Sequence, residues 1–409
     1  MKNKWVSLLG ILGILLLGGC AERRPPSGEI VSETLTGREV EVVEYDDTVE
    51  QENYNLIIEP EEKQKIEKEA VQVALLYKTI YKAADKGESY NVVISEKIVE
   101  EIKECLARKN KVVIDDAGHF NMANSKLAQV FCEAALSGEE AEVTIYELHR
   151  NGGYSRLDFH VKNKQMDLMV VSVEWNESIE PQVTYMEKYQ LKNWKYTDKG
   201  YLIYERYFSP FIECSGYNIL RVRPLKEEYL ELTNAYIRPI GYQGNNLFLA
   251  NWNKEDMTPI AFNDVFEYFY YLTKGESIYV ERYKKGIPEL EFETILCTYL
   301  PITGEEVKKF AYYDQQTKYY KWQVLGCANY TATPKGYPVP EVIDCIRNKD
   351  GSITLTVDAL WEEYGTDCAF THEVTIVPQS DGNFCYIGNS IQPKGNQIIP
   401  VYRNRIKID

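Results

Sequence analysis

The segment VTIYELHRNGGYSRLDFHV, residues 143–161, decides the fold class of this chain. Apolar and polar residues alternate on both sides of Asn151-Gly-Gly153, a pattern typical of two antiparallel strands joined by a tight turn. A three-residue loop over Asn151–Gly153 would place Val143 opposite Val161, so that apolar residues face apolar ones along both strands. We therefore predict a β-hairpin with this register.

Helices are predicted before the hairpin, because apolar residues there recur at three- and four-residue spacing. The first should run from Pro60 to just before Gly87, and the second should begin after Ser95, which can cap it. A third is predicted from about Ser125 to Leu136. The apolar residues of this third helix that are expected to face the core are Leu127, Val130, Phe131 and Ala134.

Strands are predicted after the hairpin as an antiparallel meander. Alternating patterns place them at Met166–Trp175, Gln182–Leu191, Trp194–Thr197 and Tyr201–Phe208. Helices followed by a meander indicate an α+β domain over residues 56–208. Its architecture resembles the cystatin and nuclear-transport-factor-2 type of curved sheet wrapped around a helix, a resemblance that implies a fold and no activity.

A second α+β domain is predicted over residues 209–409. Helical spacing recurs at Leu225–Tyr236 and Phe262–Leu272, and Thr303-Gly-Glu-Glu306 is a capping box that would begin a short helix. From Pro340 onwards apolar residues alternate again, which indicates another antiparallel meander. The whole chain is thus expected to be α+β with two domains, each with helices packed on a curved antiparallel sheet.

The first twenty residues have the organisation of a secretory signal. Two lysines precede the apolar stretch Val6–Leu17, which is short for a membrane span, and Leu17-Gly-Gly-Cys20 closes it with small residues. This ending resembles the signal of bacterial lipoproteins. The resemblance implies cleavage after Gly19 and a diacylglyceryl group on Cys20.

Residues 1–19 are therefore predicted to be a lipoprotein signal peptide, and residues 20–55 an acidic flexible tether. Lipid on Cys20 would anchor the mature, extracytoplasmic chain to the outer face of the bacterial cell membrane. The alternatives are an ordinary signal peptide, or an uncleaved anchor helix, in which a cysteine occurs here by chance.

The composition limits the possible partners. The chain carries 62 Asp and Glu against 46 Lys and Arg, a net charge of −16, so it repels phosphate backbones and nucleic acid is not an expected partner. Of the nine cysteines, those other than Cys20 show no CxxC spacing, and the choice between disulfides and free thiols is open. We expect a monomer without a cofactor or metal.

Three stretches of the second half are distinctive. They are Tyr236-Ile-Arg-Pro-Ile-Gly-Tyr242 with Asn245-Asn-Leu-Phe-Leu249, Phe262-Asn-Asp-Val-Phe266, and Tyr364-Gly-Thr-Asp-Cys-Ala-Phe-Thr-His-Glu373. In these the chain resembles a family of uncharacterised Gram-positive lipoproteins, known as a domain of unknown function. The resemblance covers roughly the last half of the chain. It implies a secreted lipoprotein and supplies no catalytic residues.

The four histidines are the first candidates for chemistry. His119 ends the motif Asp115-Asp-Ala-Gly-His119, which could hold a metal through two carboxylates and an imidazole, although acidic residues before a helix are more often caps. His149 is expected to be solvated beside the hairpin tip, and His160 to be a surface residue on the polar face of its strand. His372 lies on the apolar face of a predicted strand, so we predict a buried, neutral, structural histidine.

The segment from Tyr242 to Trp252 is a second candidate. Its asparagines and flanking aromatic rings could present amides and planar surfaces to a ligand. The speculative ligand-binding residues are Tyr242, Asn245, Asn246 and Trp252. The alternative, which we favour, is a structural turn in which the asparagines bond the backbone.

The sequence contains no catalytic constellation, since it lacks a G-x-S-x-G elbow, an S-x-x-K motif and a phosphate-binding glycine loop. The leading hypothesis is a non-enzymatic, lipid-anchored module that binds an extracytoplasmic protein or glycan. One alternative is an extracytoplasmic hydrolase of envelope polymers or glycans, with His119 and its aspartates as the site. The other, a transporter's solute-binding lipoprotein, is disfavoured because such proteins alternate strands and helices.

Overall fold

The computed structural model describes residues 54–87, 91–208, 215–326, 336–380 and 382–406. The predicted signal peptide, the lipidation site Cys20 and nearly all of the tether lie outside this part of the chain. Six cysteines fall inside it, and all six are free thiols: Cys105, Cys132, Cys297, Cys345, Cys368 and Cys385.

The helices of the first half are α1 Pro60–Leu75, α2 Lys78–Ala83, α3 Glu96–Ala107 and α4 Ser125–Ser137. The single helix predicted from Pro60 is wrong, because the chain breaks into two helices at Tyr77. That residue leaves the helical conformation, and its buried hydroxyl donates to the Gly152 carbonyl at 3.1 Å. The cap at Ser95 is confirmed, since its Oγ accepts from the Ile98 amide at 3.4 Å.

These helices pack on a six-stranded sheet whose strands are β1 Asn55–Leu56, β2 Val112–Asp115, β3 Ala141–Leu148, β4 Tyr154–Lys162, β5 Gln165–Trp175 and β6 Pro181–Gln190. Their order across the sheet is β1-β6-β5-β4-β3-β2. The sheet is not purely antiparallel as predicted, because β2 pairs with β3 in parallel, with Val112 opposite Ile145. Helices α1 and α3 share a core with Tyr146 on one face, and α4 shares a core with Ile145 on the other.

The predicted hairpin exists, but its register is wrong by two residues. Val143 lies opposite Phe159, and the His149 amide donates to the Gly153 carbonyl at 3.0 Å, so the loop is Arg150–Gly152. Gly153 lies on the strand side of the turn, and the position requires glycine because a Cβ there would lie 2.5 Å from the Val173 carbonyl oxygen of β5. A two-residue shift still sets apolar residues against apolar ones, so apolar matching cannot distinguish the two registers.

A small antiparallel sheet completes the first half, with strands β7 Asn193–Tyr196, β8 Tyr201–Glu205 and β9 Tyr217–Arg221. Leu202 and Leu220 pack into the same core as α4. The domain boundary predicted at residues 208 and 209 falls between β8 and β9 and therefore divides this sheet. The hydrophobic core of the first half extends to Val222.

The second half contains the helices α5 Glu227–Leu232, α6 Phe262–Lys274, α7 Glu289–Tyr299 and α8 Gly304–Phe310, and the π-helix Thr233–Ile237. Its strands are β10 Trp252–Asn253, β11 Ile287–Pro288, β12 Tyr313–Asp314, β13 Tyr319–Tyr320, β14 Val339–Arg347, β15 Ile353–Trp361, β16 Thr366–Pro378 and β17 Phe384–Gln392. The larger sheet has the order β10-β17-β16-β15-β14 and the smaller one β11-β13-β12. The capping box that begins α8 is confirmed, with both of its hydrogen bonds.

The two halves meet along a polar seam. Glu341 of β14 is buried, forms an ion pair with Arg221 of β9 and accepts a hydrogen bond from the Tyr201 hydroxyl. Beside it the Lys199 ammonium lies 2.6 Å from the buried Asp358 carboxylate. All described residues belong to one compact unit. The α+β class is confirmed, while the two separate domains and the cystatin-like architecture stay predictions.

Candidate functional site

The Tyr242–Trp252 segment lies in the core of the second half. The Tyr242 ring is 2% exposed, and its hydroxyl lies 2.9 Å from Nε2 of His372. Nδ1 of His372 lies 2.7 Å from the Asn389 side-chain oxygen, and the Asn389 amide donates to the Ala250 carbonyl at 2.8 Å. The prediction that His372 is buried is confirmed, and burial lowers the pKa of His372 to about 4.

The other candidate ligand-binding residues of this segment donate hydrogen bonds to backbone carbonyl groups of the protein. The Asn245 amide donates to the Ile240 carbonyl at 3.0 Å, and the Asn246 amide donates to the Pro259 carbonyl at 2.7 Å. The Trp252 indole donates to the Leu247 carbonyl at 2.7 Å. This arrangement favours the structural-turn interpretation, and ligand binding at these residues stays a prediction.

The Asp115–His119 motif forms a tight loop after β2. The buried Asp115 carboxylate accepts from the backbone amides of His119 at 2.8 Å and Phe120 at 3.0 Å, and lies 3.4 Å from the His119 ring. Burial by itself raises the pKa of Asp115, but the hydrogen bonds from His119 and Phe120 outweigh it and hold that pKa below its usual value. Within the described residues no group of three ligands could hold a metal ion.

The carbonyl groups of the same loop connect the two halves of the molecule. From the second half, the Arg238 guanidinium donates to the Gly118 carbonyl at 3.1 Å and the Asn234 amide donates to the His119 carbonyl at 2.9 Å. Arg221 of β9, which pairs with Glu341 across the seam, also donates to the Gly118 carbonyl at 3.1 Å. The side-chain amide of Asn121 donates to the Leu225 carbonyl at 3.0 Å. The loop therefore has a structural role as a junction between the halves.

His149 and His160 differ in their surroundings. His160 is a surface residue as predicted, with its ring 3.2 Å from the exposed Glu140 carboxylate. The prediction that His149 is solvated is wrong, because its ring lies 3.1 Å from the Ser155 hydroxyl in a partly covered position. Burial there lowers the pKa of His149 to about 4.

A cluster of carboxyl groups includes Asp115, Asp116, Glu147 and Glu362. Burial and the charge of Asp115 raise the pKa of Asp116 to about 6. Burial, followed by the charges of Asp116 and Glu362, raises the pKa of Glu147 to about 8. Each of these carboxyl groups is thus easier to protonate than in water, because its charge is poorly hydrated and repelled by its neighbours.

A groove of about 1040 Å³ opens between α1 and α4, over the end of the sheet near β3. Its volume is at the upper end of the range for ligand pockets, roughly 300–1,000 Å³. Residues of both helices and of β3 line it. No feature of the sequence marked this place as a site.

Two apolar residues of α4 line the groove instead of facing the core. Leu127 is 53% exposed and Val130 is 51% exposed, so the prediction that they face the core is wrong. The residues of this helix that are buried are Ala128, Phe131, Cys132 and Ala135. The α4 helix therefore carries a second apolar stripe that the described residues do not cover.

The floor of the groove includes an open strand edge. Strand β2 pairs with β3 only from Ile145 to Leu148, and on that side no described strand pairs with Ala141–Thr144. Backbone N–H and C=O groups on an open edge can pair with another extended chain. The groove thus combines an apolar wall with a hydrogen-bonding edge.

The lining of the groove is basic although the chain is acidic. The charged residues that line it are Lys65, Lys68, Lys111, Lys126, Arg156, Glu69 and Glu142, five cations against two anions. Arg156 forms ion pairs with Glu69 at 3.1 Å and Asp158 at 2.9 Å. In the described part of the chain Lys68 and Lys126 form no ion pair. The groove therefore favours an acidic ligand.

The chain belongs to a family of unknown function (DUF6070), whose model matches residues 63–405. The match extends through both halves of the molecule, well beyond the second half on which the sequence resemblance was based. No curated protein and no solved structure matches the chain. None of the described helices is both long and apolar enough to cross a membrane.

Proposed function

We propose that this protein is a non-enzymatic, lipid-anchored module on the outer face of the bacterial cell membrane, and that it binds an extracytoplasmic partner in the groove between α1 and α4. The observation that carries the proposal is the coincidence of the uncovered apolar stripe of α4 with the open edge of β3. An exposed apolar surface beside an unpaired edge favours aggregation unless a partner covers it.

The anchor is supported by the residues that surround Cys20. A diacylglyceryl group would supply two acyl chains, the number that stable membrane anchoring generally needs. The acidic residues 20–55 would then hold the folded body away from the anionic headgroups. The groove, which lies on that body, would face the extracytoplasmic space.

Site-directed photo-crosslinking tests binding at the groove. A photoreactive phenylalanine analogue is introduced into the full chain at Val130, which lines the groove, or at Leu136, which lies on the same helix outside it. The two positions are matched, with exposures of 51% and 54%. We expect one dominant adduct at position 130 that is absent at position 136, with the partner identified by mass spectrometry. Equal labelling at both positions, or none at either, would contradict a binding role for the groove.

A separate test addresses the anchor. Cys20→Ala should release the protein from the membrane fraction or leave it as an unprocessed precursor. The N-terminal mass of the mature wild-type protein should show a diacylglyceryl cysteine. Unchanged fractionation of the variant, with no lipid mass on the wild type, would contradict the lipoprotein interpretation and leave the groove proposal standing.

A further inference from the structure

We propose that the groove binds an extended polypeptide segment that alternates apolar and acidic residues, and that this segment adds to the open edge of β3 as a further strand. This inference rests on the proposed function, because it names the class of partner for the same groove. Three features of the groove carry it, namely its edge, the difference between its two walls, and its charge.

The edge determines the conformation of the partner. Among the described strands Ala141–Thr144 pairs with β4 alone, because β2 begins opposite Ile145. Four strand residues span roughly 13 Å, enough for several backbone hydrogen bonds to an added strand. An extended chain placed there would lie in line with β2 and would continue the six-stranded sheet.

The two walls determine the pattern of side chains. Helix α1 packs on one face of the sheet and α4 on the other, and both border the open edge. Side chains of an added strand point alternately to the two faces. One set would therefore contact Leu127 and Val130 of α4, and the other would contact α1, whose side chains in the groove include Lys65, Lys68 and Gln72.

The charge determines which polar residues alternate with the apolar ones. On the α1 side Lys68 forms no ion pair among the described residues, and the Lys111 ammonium lies 5.6 Å from the centre of the Tyr146 ring. Acidic side chains that point to this wall would pair with these cations. Basic side chains would be repelled, which gives the groove a means of rejecting a wrong partner.

Peptide binding to the full chain in detergent tests the inference. The probe is a capped eight-residue peptide that alternates valine and glutamate. The control is a capped peptide of the same length that alternates valine and lysine. We expect binding of the valine–glutamate peptide that weakens with added salt, and at least tenfold weaker binding of the valine–lysine peptide. Equal affinity for the two peptides would overturn the charge argument.

Backbone methylation separates strand addition from simple apolar contact. In a strand the amides of alternate residues point to the same edge, so methylating all valine amides blocks one edge of the peptide and methylating all glutamate amides blocks the other. We expect one of these two peptides to lose at least tenfold in affinity and the other to keep it. Similar affinity for both methylated peptides would overturn strand addition.

Matched variants locate the binding. Leu127→Ser and Lys68→Glu should each weaken binding of the valine–glutamate peptide at least fivefold. Leu136→Ser on the same helix as Leu127, and Lys63→Glu on the same helix as Lys68, should leave it unchanged, because neither residue lines the groove. Circular dichroism checks that each variant is folded, which the exposure of these side chains leads us to expect.

The outcomes separate this inference from the proposed function. A crosslinked partner at position 130 without peptide binding would overturn the inference and retain the binding role of the groove. Loss of both would overturn both. Reversible dimerisation of the full chain that Leu127→Ser abolishes, with no peptide binding, would identify a second copy as the occupant and would likewise overturn the inference.

Discussion

The Tyr242–Trp252 segment and the groove beside β3 differ in how far the protein covers and bonds their side chains. The segment is rich in amides and aromatic rings, yet it is buried and the side chains of Tyr242, Asn246 and Trp252 all bond groups of the protein. The groove is lined largely by aliphatic and lysine side chains, yet its apolar surface and strand edge are not covered by any part of the chain that the structure describes. Amide and aromatic side chains thus stabilise the fold in the segment, whereas aliphatic and lysine side chains form the candidate site.

The difference has a physical reason. A buried amide or hydroxyl without a partner costs about 1–3 kcal/mol, so the asparagines and aromatic residues of this segment lie where other groups bond them. An exposed leucine or an open strand edge costs little in water, so it persists without any compensating contact inside the protein. Function then has to be inferred from what the fold leaves unsatisfied.

The largest expected effect concerns the buried network. His372→Ala removes the partner of both the Tyr242 hydroxyl and the Asn389 side-chain oxygen and opens a cavity, so the free energy of unfolding should fall by about 3 kcal/mol. Urea unfolding at pH 7 measures the change. His160→Ala at the surface is the control and should change it by less than about 0.5 kcal/mol. A small effect at His372 would show that the network is not structural.

The next effect is the pH dependence of the stability that the neutral His372 contributes. Burial lowers the pKa of His372 from 6.5 to about 4, so between these values the unfolded chain takes up a proton that the folded protein does not. The wild type should therefore lose stability as the pH falls from 6.5 to 4, whereas His372→Gln lacks this contribution. The advantage of the wild type over the variant should be full well above pH 6.5 and smaller by about 3 kcal/mol at pH 4.

Unfolding curves of both proteins across this pH range give the difference directly. All other titrating groups, including His149, Asp116 and Glu147, are shared by the two proteins, so their contributions to the difference cancel to a first approximation. A difference that does not change between pH 4 and pH 7 would contradict a buried, neutral His372.

The smallest expected effect distinguishes the groove from the core. Leu127→Ser and Val130→Ser should each change the free energy of unfolding by less than about 0.5 kcal/mol, because both side chains are about half exposed. Phe131→Ser on the same helix is the matched contrast and should cost several kcal/mol, since Phe131 is 3% exposed. Large losses at Leu127 and Val130 would show that they belong to the core.

Elements whose apolar residues recur with a regular period could be predicted from the sequence. The four long strands from β14 to β17, the capped starts of α3 and α8 and the hairpin itself all follow from local patterns. Several short elements were missed, as were strands β2 and β9 and helix α7. Strand β2 is only four residues long and buried throughout, so it shows no alternation. The buried residues of α7, which are Phe292, Ile295, Leu296 and Tyr299, do recur at helical spacing, but the exposed Leu290 and Cys297 interrupt the polar face.

The candidate site could not be predicted, because it depends on how elements end relative to one another. The spacing of α4 places Leu127 and Val130 beside its buried residues, and only the packed structure shows that the sheet stops short of them. The open edge likewise results from β2 beginning opposite Ile145 instead of opposite Ala141. Both are properties of tertiary packing that no local pattern encodes.

Hydrogen exchange of the β3 backbone tests the central claim most directly. Amide exchange within residues 141–144 of the full chain is measured with and without the valine–glutamate peptide. We expect slower exchange of amides in this stretch when the peptide is bound. The exchange of amides in β15 should not change, because β15 is already paired with β14 on one side and β16 on the other. Peptide binding without protection of residues 141–144, or protection confined to α4, would contradict strand addition at this edge.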